Sequence, residues 1–280
     1  VQRFDKDALG VKFFAVTGKD VWPPHEQHTN FVRFSNTDNT TLVKQGDAIL
    51  VGTSLDAPSA VALRRAVALA NTFDAVVRVV HAVPWDAEPI RVREDALRRT
   101  IAEWAVRSAR IILGLDMIAC RVEEPAMALA REAVENDASL VVIGASQRRG
   151  PRAVAARFLH RASVPLLVAQ SPGLRGSIVA ATDLSDRNYP VAHAAVAWAD
   201  ACAARVTLIH NIERAPTSRE AKRRQLWPAL RDLCFLTRAL GPIQRAHLSR
   251  APSTPVAISK LVRAQSADLV VVGASRSGGR

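Results

Sequence analysis

Ile178-Val179-Ala180-Ala181-Thr182-Asp183-Leu184 answers an earlier stretch, Ile49-Leu50-Val51-Gly52-Thr53-Ser54-Leu55. Each is a short apolar run closed by Thr, a polar residue and Leu, and the two lie 129 positions apart, 49 to 178. The same offset carries His81 onto His210, and Leu140–Ser146 (LVVIGAS) onto Leu269–Ser275 (LVVVGAS). Three anchors at one spacing read as a tandem duplication, the first thing to seek in any chain.

Within each copy the pattern alternates between two periods. Nearly continuous apolar runs at 48–53, 76–81, 140–144 and 164–169 predict strands covered on both faces, as in a parallel sheet. Between them, Pro58–Asn71, Ala87–Leu113, Pro125–Asp137 and Arg152–Ala162 carry apolar residues on one side and charges on the other, so they predict helices. The second copy repeats the plan at 177–182, 187–203, 204–210, 217–240, 243–248, 254–266 and 268–273. Strand–helix alternation predicts an α/β fold of two tandem, doubly wound parallel-sheet domains of Rossmann-like type. The expected boundaries are 1–46 as an N-terminal extension of unknown role, 47–172 as the first domain and 173–280 as the second. Val11–Val16 could be a strand within the extension, and 171–176 a turn-rich linker. The second copy ends before a fourth helix and fifth strand, and the chain opens at Val1 without methionine. A longer natural chain is therefore expected at both ends.

Composition narrows the classes. Of 280 residues 49% are hydrophobic and 23% charged, which is globular composition. No apolar run approaches the ~18 to 20 residues that cross a bilayer, so membrane insertion is not expected. Cys120, Cys202 and Cys234 are odd in number and in no ligand spacing, which argues for reduced thiols in a cytoplasmic protein. The net charge of +12 is local: residues 219–280 hold +9, whereas 47–172 hold +2. Arg219, Lys222, Arg223, Arg224, Arg231 and Arg238 lie along one helix, with Leu226, Leu230 and Leu233 expected on its other side. A solvated basic face is the expectation, with nucleic acid disfavoured because no aromatic stacking platform is seen.

Ligands of an open parallel sheet bind beyond the carboxyl ends of the strands, where strand order reverses. Thr182-Asp183-Leu184-Ser185 is the turn at that place in the second copy, and Asp183 could accept hydrogen bonds from a ribose or a base amine. In the first copy the acid, Asp56, is displaced by two positions. Helix capping is the simpler role for either acid. The loops Gly144–Gly150 and Gly273–Arg280 let backbone N–H groups approach an anion. His81 and His210 close strands and are expected to satisfy backbone groups.

The order of elements, the ATDLS turn, the histidine closing the second strand and the VVVGAS-RSGG loop together resemble a tandem universal stress protein over about 47–280. That resemblance implies adenine-nucleotide-alpha-hydrolase-like α/β domains that dimerise or pair in tandem. It also implies ATP or another adenine nucleotide as ligand. Carried over, Thr182 and Asp183 take the turn near the adenosine, and Val272 and Gly273 the apolar residue and first glycine of the phosphate loop. Ser275, Gly278 and Gly279 fall in the rest of that loop, although Arg276 stands where the family has its second glycine. The first copy departs further. Gln147 replaces the second glycine, and the spacer before Arg152-Ala153 is about five residues short. Losing two or three donors at ~1.5 to 3 kcal/mol each weakens a phosphate grip by roughly a hundredfold or more. The first copy is therefore not expected to bind ATP, and Arg148, Arg149 and Arg152 read as a solvated basic loop.

No metal site is expected, since His25 and His28 are three apart rather than four. No GxSxG, Walker A loop or paired-carboxylate constellation appears, nor the HxGH and SGGxD signatures of catalytic relatives. The expected function is a stress-response module that binds without turnover, its partners a second copy, its own other domain, or another protein. The alternatives are a nucleotide-independent regulatory module attached to a transporter or kinase, and a basic-helix nucleic-acid binder.

Overall fold

The computed structural model describes residues 12–17, 43, 45–83, 93–145, 154–162, 164–170, 176–184, 189–212 and 219–274. The chain divides into two compact units, the break falling between Gly173 and Leu174. The first unit holds the strands β1 (Lys12–Thr17), β2 (Ala48–Thr53), β3 (Val76–Val83), β4 (Ile118–Val122), β5 (Ala138–Gly144) and β6 (Leu166–Ala169). Its helices are α1 (Ala57–Phe73), α2 (Glu94–Ala109), α3 (Pro125–Glu135) and α4 (Val154–Arg161). Five strands run parallel in the order β4-β3-β2-β5-β6, and β1 adds antiparallel to β6 with Phe13 opposite Val168 and Ala15 opposite Leu166.

The second unit holds β7 (Ser177–Ala181), α5 (Pro190–Cys202), β8 (Arg205–Asn211), α6 (Arg219–Ala239), β9 (Ile243–Ser249), α7 (Thr254–Gln265) and β10 (Leu269–Ala274). Its four strands are parallel in the order β10-β7-β8-β9.

The apolar runs become strands because both their faces are covered. Ile49, Leu50 and Val51 of β2, Leu140, Val141 and Val142 of β5, and Leu269, Val270 and Val271 of β10 are fully buried. Each such side chain contributes about 1.5 to 3 kcal/mol relative to exposure. Helix starts follow local chemistry. Asp56 caps α1 ahead of Pro58, and Glu124 caps α3 ahead of Pro125, each carboxylate accepting a first-turn N–H.

The 129-residue offset extends to backbone conformation. Leu55 and Leu184 are left-handed at φ 62 and 60, Asp74 and Ala203 at 53 and 48, and Asp137 and Ser266 at 46 and 49. Non-glycine residues avoid this region at a penalty of roughly 1 to 2 kcal/mol each. Three coincidences at one spacing mean that both units turn their chains the same way.

Three details differ from the sequence reading. The strand β4 carries Cys120 and Arg121 and lies at the sheet edge, half-covered, so it lacks the apolar run that marks the others. Leu230 of α6 faces outward with Trp227 and Phe235, whereas Leu233 is buried. The helix expected from Ala87 begins at Glu94, and 84–92 lie outside the described residues.

Candidate functional site

In the first unit β2 lies between β3 and β5, and in the second β7 lies between β8 and β10. Strand order therefore reverses at β2 and at β7, and the carboxyl ends there are the natural ligand position.

Both units build the first turn identically. Thr53 Oγ1 accepts from the Leu55 N–H at 2.9 Å, and Thr182 Oγ1 accepts from the Leu184 N–H at 3.1 Å. The hydroxyl turn is what holds each leucine in its left-handed conformation. One strand over, His81 Nδ1 bonds the Thr53 carbonyl at 3.0 Å and His210 Nδ1 bonds the Thr182 carbonyl at 2.9 Å. A carbonyl oxygen only accepts, so in both rings Nδ1 carries the hydrogen, and a neutral ring presents Nε2 as an acceptor. The expectation that these histidines satisfy backbone groups is met.

Beyond this shared frame the units part. In the first, Asp56 accepts from the Ser59 N–H at 2.9 Å, and Ser59 Oγ accepts from the Ser54 N–H at 3.0 Å. Partial burial alone would raise the Asp56 carboxyl, but its hydrogen bonds from Ser59 and Ser54 outweigh that and hold it below the ordinary carboxylate range. The acid is thus occupied in capping α1. At the end of β5, Gly144 lies directly against that helix. A Cβ built on it would sit 2.4 Å from the Pro58 carbonyl carbon and oxygen. The first turn of α1 therefore packs directly on the end of β5.

In the second unit the acid itself comes one position after the threonine. Asp183 is exposed and Thr182 half-buried at the end of β7. Val272 is buried opposite Ala181, and the exposed Gly273 follows it at the end of β10. Four predicted site residues, Thr182, Asp183, Val272 and Gly273, therefore meet on adjacent strand ends. Ser275, Gly278 and Gly279 lie outside the described residues, as do Arg276, Gln147, Arg148, Arg149, Arg152, His25 and His28.

Two further residues at this end had no sequence motif. Tyr189, the chain's single tyrosine, is buried at φ 45 and ψ 51 where α5 starts. Its left-handed backbone just before Pro190 signals a constrained entry into that helix. Asn211 closes β8, its Oδ1 accepting from the Ala251 N–H at 3.0 Å and its Nδ2 donating to the Ala251 carbonyl at 3.3 Å. This pair ties the ends of β8 and β9 into one rim. The asparagine stands just after His210. Among the described residues no cluster of His, Cys, Asp or Glu could hold a metal ion, and no helix is long and apolar enough to cross a membrane.

Comparison with known proteins agrees with this fold. Residues 47–170 match the model of the universal stress protein family. A universal stress protein from Archaeoglobus fulgidus DSM 4304 superposes with a TM-score of 0.59 at 16% identity, covering 86% of this chain and 89% of its own. A functionally unknown protein, PA1789 from Pseudomonas aeruginosa PAO1, superposes at 0.58 with 15% identity, covering 83% of each chain. A universal stress protein in complex with cAMP covers 45% of this chain and 98% of its own, at 21% identity and a TM-score of 0.36. No curated protein matches. At these identities the first two superpositions speak for the fold alone.

Proposed function

We propose, from a chain whose residues 47–170 form a universal stress protein domain, that it is a stress-response module that binds an adenine nucleotide in its second unit without turning it over. The observation that carries this reading is the exposed pair Asp183 and Gly273 on the adjacent ends of β7 and β10, where strand order reverses. A carboxylate there accepts from ribose hydroxyls or a base amine, and a glycine lets backbone N–H groups approach a phosphate. Binding without chemistry is supported by how the neighbouring polar groups are used. Thr182 Oγ1 serves the Leu184 N–H, and His210 Nδ1 serves the Thr182 carbonyl. The free thiols Cys120, Cys202 and Cys234 fit a reducing cytoplasmic setting.

The test is isothermal titration of ATP into the whole chain. Asp183→Ala is expected to weaken binding by about tenfold or more, the worth of a hydrogen bond to a charged group. Asp56→Ala is expected to leave it within about twofold. Affinity that survives both Asp183→Ala and Gly273→Val would remove this site, as would nucleotide bound equally by the first unit. A nucleotide-independent regulatory role is the second reading, for the first unit, because Asp56 caps α1 on Ser59 and Pro58 packs against Gly144.

A further inference from the structure

A surface helix in a globular domain buries its apolar side and shows water its charges. The helix α6 departs from that rule. It packs on β9 through the buried Ala229, Leu233 and Leu236. Its outward side nevertheless carries Trp227 at 68% exposure, Phe235 at 59% and Leu230 at 40%. These are three of the largest apolar side chains the described surface displays, within nine residues of one another.

Arginine surrounds them. Arg224, Arg231 and Arg238 recur every seven residues, which places all three in one stripe along the outward side. Trp227 stands between the first two and Phe235 between the last two. The stretch from Arg224 to Arg238 is about 21 Å long at 1.5 Å per residue. From Arg224 to Ala239 three arginines stand against a single acid, Asp232, which bonds the neighbouring Arg231 at 3.1 Å. Exposed Arg245 on β9 adds to the same edge.

From this juxtaposition we infer that the outward face of α6 docks on an anionic lipid surface, with Trp227, Leu230 and Phe235 entering the headgroup boundary and Arg224, Arg231 and Arg238 pairing with lipid phosphates. The side chains suit that surface and few others. Arginine stems lie along apolar surroundings while their heads reach the polar layer, so charges and aromatics can share one face. Tryptophan and phenylalanine prefer the boundary between headgroups and acyl chains. A lipid layer also conforms to three bulky groups on a convex helix, whereas a protein partner would need a matching groove. A nucleic-acid groove gains nothing from Leu230. The helix would lie on the membrane, not cross it, which agrees with the absence of a spanning helix among the described residues.

The test is co-sedimentation of the whole chain with phosphatidylcholine vesicles, with and without phosphatidylglycerol, at low and at physiological salt. The chain is expected to sediment with the anionic vesicles only, less so as salt rises. Arg224→Gln, Arg231→Gln and Arg238→Gln together are expected to lower partitioning about a hundredfold. Trp227→Ala with Phe235→Ala is expected to lower it by tenfold or more while the arginines remain. Removing equal charge elsewhere, with Arg250→Gln, Lys260→Gln and Arg263→Gln, should leave it within about threefold. Thermal unfolding of each variant confirms that it is folded before it is compared. No partitioning of the folded wild type at low salt would overturn the inference. So would an equal loss from the control triple, or binding to a mixed-sequence DNA duplex in place of vesicles that is indifferent to Trp227 and Phe235.

Discussion

Replacing Gly144 by alanine puts a methyl group where the first unit has no space. The new Cβ would lie 2.4 Å from the carbonyl carbon and oxygen of Pro58 and 2.8 Å from its Cβ. Ordinary contact begins about 1 Å further out, and the obstacle is backbone, not the end of a flexible side chain. Either β5 or the start of α1 must move. The helix start is pinned there by the Asp56 cap on Ser59 and by the Ser54–Ser59 bond, so moving it forfeits those as well. Overpacking of about 1 to 3 kcal/mol and loss of a cap worth about 1 kcal/mol give a destabilisation of about 2 to 4 kcal/mol. At roughly 4 °C per kcal/mol for a domain of this size, the first unit should melt roughly 8 to 16 °C lower. Gly52→Ala is the matched control. Its Cβ meets side-chain tips of Leu129 and Ile143 at 3.1 Å, which can yield, so about 1 kcal/mol is expected. Differential scanning calorimetry of the whole chain reads both. A Gly144→Ala protein that melts within 2 °C of wild type would refute the close packing of α1 on Gly144, as would Gly52→Ala proving the more damaging change.

Other expectations follow from the same contacts. Asp56→Ala should destabilise by about 1 kcal/mol at neutral pH. Because folding lowers the Asp56 carboxyl, that contribution is complete above the ordinary value of 3.8 and is lost as pH falls through the lower folded value, so urea titrations should show the variant and wild type converging in acid. Burial pushes the Cys120 thiol up to about 11, against the pull of Arg98, so at pH 8 about one molecule in a thousand carries the thiolate. Exposed Cys234 should alkylate first and half-buried Cys120 far more slowly, which peptide mapping after timed iodoacetamide treatment would show. Arg121 bonds the buried Glu132 and the half-exposed Glu135. Arg121→Met should therefore cost about 2 kcal/mol in urea unfolding, since Glu132 keeps only its Asn136 partner at 2.9 Å; Arg121→Met with Glu132→Leu should recover most of that loss.

What the sequence made legible, it did so through burial. Runs such as Ile49–Val51 and Leu269–Val272 are apolar throughout because both faces are covered, and an uninterrupted run is easily read. The strand Ile118–Val122 escaped because an edge position lets Cys120 and Arg121 into it. The outward turn of Leu230 escaped for the converse reason. Helical spacing places Leu226, Leu230 and Leu233 on a plausible apolar side, and only packing on β9 shows that Ala229, Leu233 and Leu236 are the buried ones. At the candidate site, the placing of Thr182, Asp183, Val272 and Gly273 on adjacent strand ends was legible because they follow apolar runs at a fixed offset. The close packing of α1 on the end of β5 was not. It depends on Gly144 meeting Pro58, 86 positions earlier, and a glycine at a strand end is equally consistent with an open loop. Tyr189 gave no sign, because its left-handed backbone is set by the path into Pro190.

On the proposed reading the second unit, and not the first, receives the nucleotide. Hydrogen–deuterium exchange with and without saturating ATP tests it directly. Amides of 182–184 and 270–274 should slow, while those of 53–60 and 141–145 stay unchanged. Protection centred on 53–60 and 141–145, with none at 182–184, would contradict the account.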